Sequence, residues 1–107
     1  MLGTQLGDFI DVIDYLVDLI GIDHVGIGTD FPIGQPEQFY ERIATGSCHR
    51  RGLGIKFPFP MVLPKGIQTP GEFPNITQSL LDRGYDKESI QKIMGQNFFN
   101  LFQTVWN

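Results

Sequence analysis

At 107 residues the chain is one domain at most, and its 41% hydrophobic and 19% charged residues give the balance of a soluble globular protein, not a disordered one. Residues 1–30 hold six of the twelve acids and none of the eight Lys and Arg, so within the net charge of −4 the first part carries −6 and the remainder +2. Neither part has a basic patch interleaved with aromatics, which argues against nucleic-acid binding, and the single Cys48 rules out an internal disulfide framework or a Cys-pair zinc site.

Met1 opens no recognisable signal peptide, and the most apolar window, Phe9 to Ile22, is too short and too interrupted by Asp11, Asp14 and Asp18 to be a transmembrane segment. Those acids recur at helical spacing, with Phe9, Ile10, Ile13, Leu16, Val17 and Ile20 on the opposite side. Residues 1–22 therefore contain an amphipathic helix from Gly7 to Ile20, ended by Gly21. His24-Val25-Gly26-Ile27-Gly28 follows at once and reads as a buried strand, taken as residues 23–30. Helix and strand with a tight connection make an α/β unit.

Residues 31–74 show no long periodic element, and all seven prolines lie between Pro32 and Pro74 with six glycines among them, the composition of a long loop. Within it Pro36 can open a short helix through Ala44, with Phe39, Tyr40 and Ile43 on one side and Gly46 closing it. Residues 75–107 are helical. Thr77 to Arg83 ends at Gly84, and Asp86 caps a segment carrying Ile90, Ile93 and Met94, with Glu88 and Lys92 spaced for an ion pair and Gly95 as the stop. Asn97 is a plausible cap for the last helix, whose Phe98, Leu101, Phe102, Val105 and Trp106 form an apolar face that requires a cover.

Alternation along the strand puts His24, Gly26, Gly28 and Asp30 on one side and Val25, Ile27 and Thr29 on the other. Branched apolar residues facing helices and glycines facing a crowded interior suit a strand of a parallel barrel. Asp30 falls at its C-terminal end, where barrel active sites lie, and is the candidate catalytic residue. The other role open to an Asp there is a turn cap before Phe31-Pro32.

The run Gly21-Ile22-Asp23-His24-Val25-Gly26-Ile27-Gly28-Thr29-Asp30-Phe31 resembles the GIDHVGIGSDF segment of the membrane (renal) dipeptidase family, its eighth barrel strand. Downstream, Pro74-Asn75-Ile76-Thr77, Leu80-Leu81-Asp82-Arg83-Gly84-Tyr85 and Ile90-Gln91-Lys92-Ile93-Met94-Gly95-Gln96-Asn97-Phe98 are similar to the family's C-terminal helices. The resemblance implies the C-terminal helix-strand-helix portion of a (β/α)8 TIM barrel of the metal-dependent hydrolase type, from an enzyme that hydrolyses dipeptides, including those with D-configured or dehydro C-terminal residues. It also implies that the carboxylate at Asp30 handles the proton of the attacking water, and that two zinc ions are held by a His-x-Asp pair, a bridging Glu and two His on earlier strands. None of those ligands is in this chain, so no zinc is expected to bind it alone. Pro32-Ile33-Gly34 departs from the family pattern after the Phe, which points to a Pro-rich loop over the site.

The remaining candidates have plainer roles. His24 lies six residues from Asp30, roughly 20 Å along a strand, and is read as structural. His49 beside Cys48 needs ligands from elsewhere to bind a metal. Arg50, Arg51, Lys56 and Lys65 are loop charges, any of which could hold a dipeptide carboxylate. Gly26-x-Gly28 resembles a dinucleotide-binding turn, but Phe31 stands where its third glycine belongs. The expected partners are a dipeptide, the N-terminal barrel segment and a second copy in a homodimer, with the compartment open between cytoplasm and periplasm. Two rival functions remain: a non-catalytic interaction or oligomerisation piece, and a related barrel amidohydrolase acting on cyclic amides.

Overall fold

The computed structural model describes residues 5–29, 34, 36, 38–39, 42 and 64–106. Helix α1 runs over Leu6–Ile20. At its start the Asp8 carboxylate accepts the Gln5 N–H at 2.7 Å, satisfying one of the donors that a first turn leaves open. At its end Gly21 takes φ 89°, a left-handed value at which a side chain would be strained, while its N–H still reaches Val17 O at 2.9 Å. Ile10 and Ile13 are buried, Phe9, Leu16 and Val17 half-buried, and Ile20 is exposed, so the apolar stripe stops one turn short of the expected length.

Residues Ile22–His24 form a 3₁₀ turn, and the expected strand over 23–30 is not present as such. Among the described residues there is no named strand, only a parallel bridge between Gln5 and Lys65. A strand is defined by the neighbour it bonds to, and no such neighbour lies beside residues 25–29 among the described residues. Val25 nonetheless has extended backbone, φ −109° and ψ 130°.

Most of the expected loop over 31–74, with Tyr40, Ile43, Gly46, Cys48, His49, Arg50, Arg51 and Lys56, lies outside the described residues. Gln38, Phe39 and Arg42 are helical, and the Phe39 N–H donates to Pro36 O at 2.9 Å, as a helix opened by Pro36 requires. From residue 64 onward the chain packs closely. Lys65 O accepts the Leu6 N–H at 3.1 Å, Gly66 O accepts Asn75 Nδ2 at 2.8 Å, and Ile67 is buried.

A 3₁₀ turn at Pro70–Glu72 leads into α2, Pro74–Arg83, which starts three residues before the expected Thr77 because Pro74 is preset for a first helical turn. Gly84 at φ 103° ends it, with Gly84 N–H on Leu81 O at 3.0 Å and Tyr85 N–H on Leu80 O at 3.1 Å, the paired bonds of a Schellman closure. Asp86 caps α3, Lys87–Gln91, its carboxylate accepting the Ser89 N–H at 2.7 Å. Gly95 stops this helix as expected: its backbone leaves helical geometry and kinks the chain between Lys92 and Gln96, with the Asn97 N–H bonding back to Lys92 O. Helix α4 then runs over Asn97–Val105.

One core joins these elements: Ile10 and Ile13 of α1, Val25, Ile67, Ile76 and Leu80 of α2, Ile90 of α3, and Ile93. Ile76, Leu80 and Ile93 are wholly inaccessible to solvent. No helix among the described residues is long and apolar enough to cross a membrane.

Candidate functional site

Asp30 lies outside the described residues, but the five positions leading to it are described. Val25 is buried and Ile27 and Thr29 are half-buried, whereas Gly26 and Gly28 are exposed. Burial therefore alternates over 25–29 as the sequence reading expects, with Val25 and Ile27 in or against the core and open space beside Gly28, while Gly26 meets the Phe98 ring. His24 is exposed like Gly26 and Gly28 but differs in backbone. It sits exposed in the 3₁₀ turn, before the alternation begins.

The base of this segment is held from the C-terminal side. Asn97 was expected to cap α4, yet its side-chain Nδ2 donates to two backbone carbonyls, Ile22 O at 2.7 Å and Val25 O at 2.9 Å. Lys92 Nζ meets Asp23 Oδ1 at 2.8 Å, closer than its expected partner Glu88 at 4.0 Å. Their hydrogen bond and mutual charge hold Asp23 below the usual carboxylate range and push Lys92 up. The Phe98 ring covers Gly26 so closely that a Cβ there would come within 2.3 Å of it, which explains a glycine at that position. Between these groups lies an open groove of ≈ 180 Å³, lined by Asp23, His24, Gly26, Asn97, Phe98 and Leu101.

A second cluster ties α1 to the end of α2. Arg83 bonds Asp11 at 2.7 Å and also Asp14, and the Tyr85 hydroxyl donates to Asp14 Oδ1 at 2.6 Å. Burial, then the bond to Asp14 and its charge, push the Tyr85 phenol up to about 12. The acids of α1 lie opposite its apolar residues, and Asp11 and Asp14 serve an inter-helix contact. The sequence offered one clue to it, the absence of any base in residues 1–30.

Of the four loop cations only Lys65 falls among the described residues, where its backbone pairs with the start of α1. Among the described residues no three His, Cys, Asp or Glu side chains converge on a common point. His24 has no metal-binding company there.

The profile of the membrane dipeptidase family (peptidase family M19) matches residues 43–107, more than half of the chain. The chain belongs to this family. Dipeptidase aclJ of Aspergillus oryzae is 29% identical over 102 residues, which cover 95% of this chain and 18% of that protein. Dipeptidase tcpJ of Claviceps purpurea is 26% identical over 98 residues, 89% of this chain and 17% of that protein. A crystal structure of an amidohydrolase from Pseudomonas aeruginosa superposes with a TM-score of 0.85 at 36% identity, covering 97% of this chain and 31% of that one. The chain thus spans less than a fifth of these two dipeptidases and about a third of the amidohydrolase. Its helices superpose on a segment of that amidohydrolase.

Proposed function

We propose that the chain supplies the last strand and closing helices of a (β/α)8 barrel hydrolase that cleaves the peptide bond of dipeptides. Asp30 is its proton-transferring carboxylate. The observation that carries this reading is the alternation over Val25, Gly26, Ile27, Gly28 and Thr29, which ends one residue before Asp30. Branched side chains packed into a core and glycines on the alternate face suit a barrel strand, and the residue at its C-terminal end belongs to the mouth where barrel enzymes work. The family match and the dipeptidase relatives support a dipeptide substrate.

In this reading Asp30 accepts a proton from the attacking water and returns it to the departing amine, so that the nitrogen leaves neutral. Zinc ions, when bound, make such a water more acidic. The described residues do not fit a zinc site, which needs three or four ligands, so its ligands belong to the earlier strands of the complete barrel. Asp30→Asn in the complete enzyme keeps the shape and removes the proton acceptor. Turnover on a dipeptide is expected to fall by about 10²–10⁴-fold with the melting temperature retained. A variant within about threefold of wild type would refute the assignment.

The Pseudomonas aeruginosa amidohydrolase favours a second reading, hydrolysis of a cyclic amide at the same strand end. Parallel assays on dipeptides and cyclic amides separate the two. A third, an interaction piece without catalysis, draws on the exposed aromatic face of α4.

A further inference from the structure

We infer that Asn97 is a positioning residue for the segment that leads to Asp30, acting as a latch between the closing helices and the base of the catalytic strand. This rests on the proposed role of Asp30 and adds to it the group that sets where the strand starts. Asn97 donates both of its amide hydrogens to carbonyls three residues apart, Ile22 O at 2.7 Å and Val25 O at 2.9 Å. It therefore fixes the whole 3₁₀ turn and its exit into the 25–29 segment. Two neighbours grip the same stretch, with Lys92 bonded to Asp23 at 2.8 Å and the Phe98 ring seated on Gly26.

The break at Gly95 explains how Lys92, Asn97 and Phe98 all reach the same stretch. In a continuous α-helix residues five apart stand about 140° from each other around the axis, at 3.6 residues per turn. Here the Asn97 N–H closes on Lys92 O, and the Lys92 and Asn97 side chains both meet the 22–25 turn.

Position at the base matters at the tip. Asp30 is five residues beyond Val25, and at about 3.3 Å per residue a swing of about 10° at Val25 displaces the fifth residue by roughly 3 Å. Misplacement of a reacting group by about 1 Å can cost about 10²-fold in rate. Asn97 itself contributes no chemistry, so its loss should act on turnover and spare substrate affinity.

The test uses the complete enzyme with three variants, Asn97→Ala, Asn97→Ser and Asp30→Asn, each measured for kcat, KM and melting temperature. Asn97→Ala is expected to lower kcat by about 10–100-fold with KM within about twofold. Asn97→Ser keeps one donor and should fall between Ala and Asn. Amide hydrogen exchange at residues 25–29 should quicken in Asn97→Ala while that of Ile76 and Leu80 stays as in wild type. If Asp30→Asn is inactive but Asn97→Ala keeps wild-type kcat, the latch is overturned and the role of Asp30 stands. If Asp30→Asn is fully active, the catalytic reading itself fails. Should Asn97→Ala not fold, Asn97→Ser decides: reduced kcat with unchanged KM supports the latch, and wild-type kcat overturns it.

Discussion

Tyr85 is a neutral phenol that donates to the Asp14 carboxylate, and both burial and that bond oppose its ionisation. Its folded value of about 12 lies above the ordinary 10.0, so the stabilisation is complete below pH 10 and disappears as pH rises through about 12. Tyr85→Phe should cost about 1 kcal/mol at neutral pH and weaken the dependence of stability on pH between 10 and 12. Urea unfolding across that range, with tyrosinate absorbance followed in parallel, checks both. Asp86 has the opposite sign. The Ser89 N–H lowers its pKa, so its contribution is present at neutral pH and lost as pH falls through the lowered value. The Asp86 cap was legible because capping is local, read within four residues. The Tyr85–Asp14 bond and the Asn97 latch were not, since each joins positions more than 70 residues apart.

At the scale of elements, the helices were legible from period and end residues, and Gly21 and Gly84 close theirs in left-handed geometry as expected. Gly95 also ends its helix as expected, though without a left-handed φ: at φ 174° and ψ −25° its backbone breaks the helix, and α4 starts two residues on. The strand was half legible: its two faces hold, while its ladder depends on neighbours outside the described residues. Stability is expected to concentrate where α1 meets α2. Leu80 is wholly buried in that contact, and Leu80→Ala should cost about 2–5 kcal/mol through lost burial and the cavity left behind. An equilibrium urea titration measures it, and a loss under about 1 kcal/mol would place the core elsewhere.

Among the described residues the exposed apolar surface is concentrated on α4 and the adjoining Trp106, where Phe98 stacks on Phe102 at 5.8 Å and Phe102 on Trp106 at 4.5 Å, with Trp106 74% exposed. A face of that kind attracts a cover. Light scattering on the 107 residues expressed alone should show self-association, and Phe102→Ser with Trp106→Ser should reduce it. A monodisperse monomer that holds stoichiometric zinc and cleaves dipeptides would contradict both this and the barrel reading. The packing of α1 on α2 also has a consequence in time. Ile10 and Ile13 are buried against residues such as Leu80, and the partner of Asp11 and Asp14 is Arg83. On a ribosome adding about 5–20 residues per second, α1 emerges roughly 3–12 s before α2 is made. For those seconds the part of its apolar stripe that Ile76 and Leu80 cover lacks them, and Asp11 and Asp14 lack Arg83. That face of α1 is then the one on which a chaperone has the most to hold.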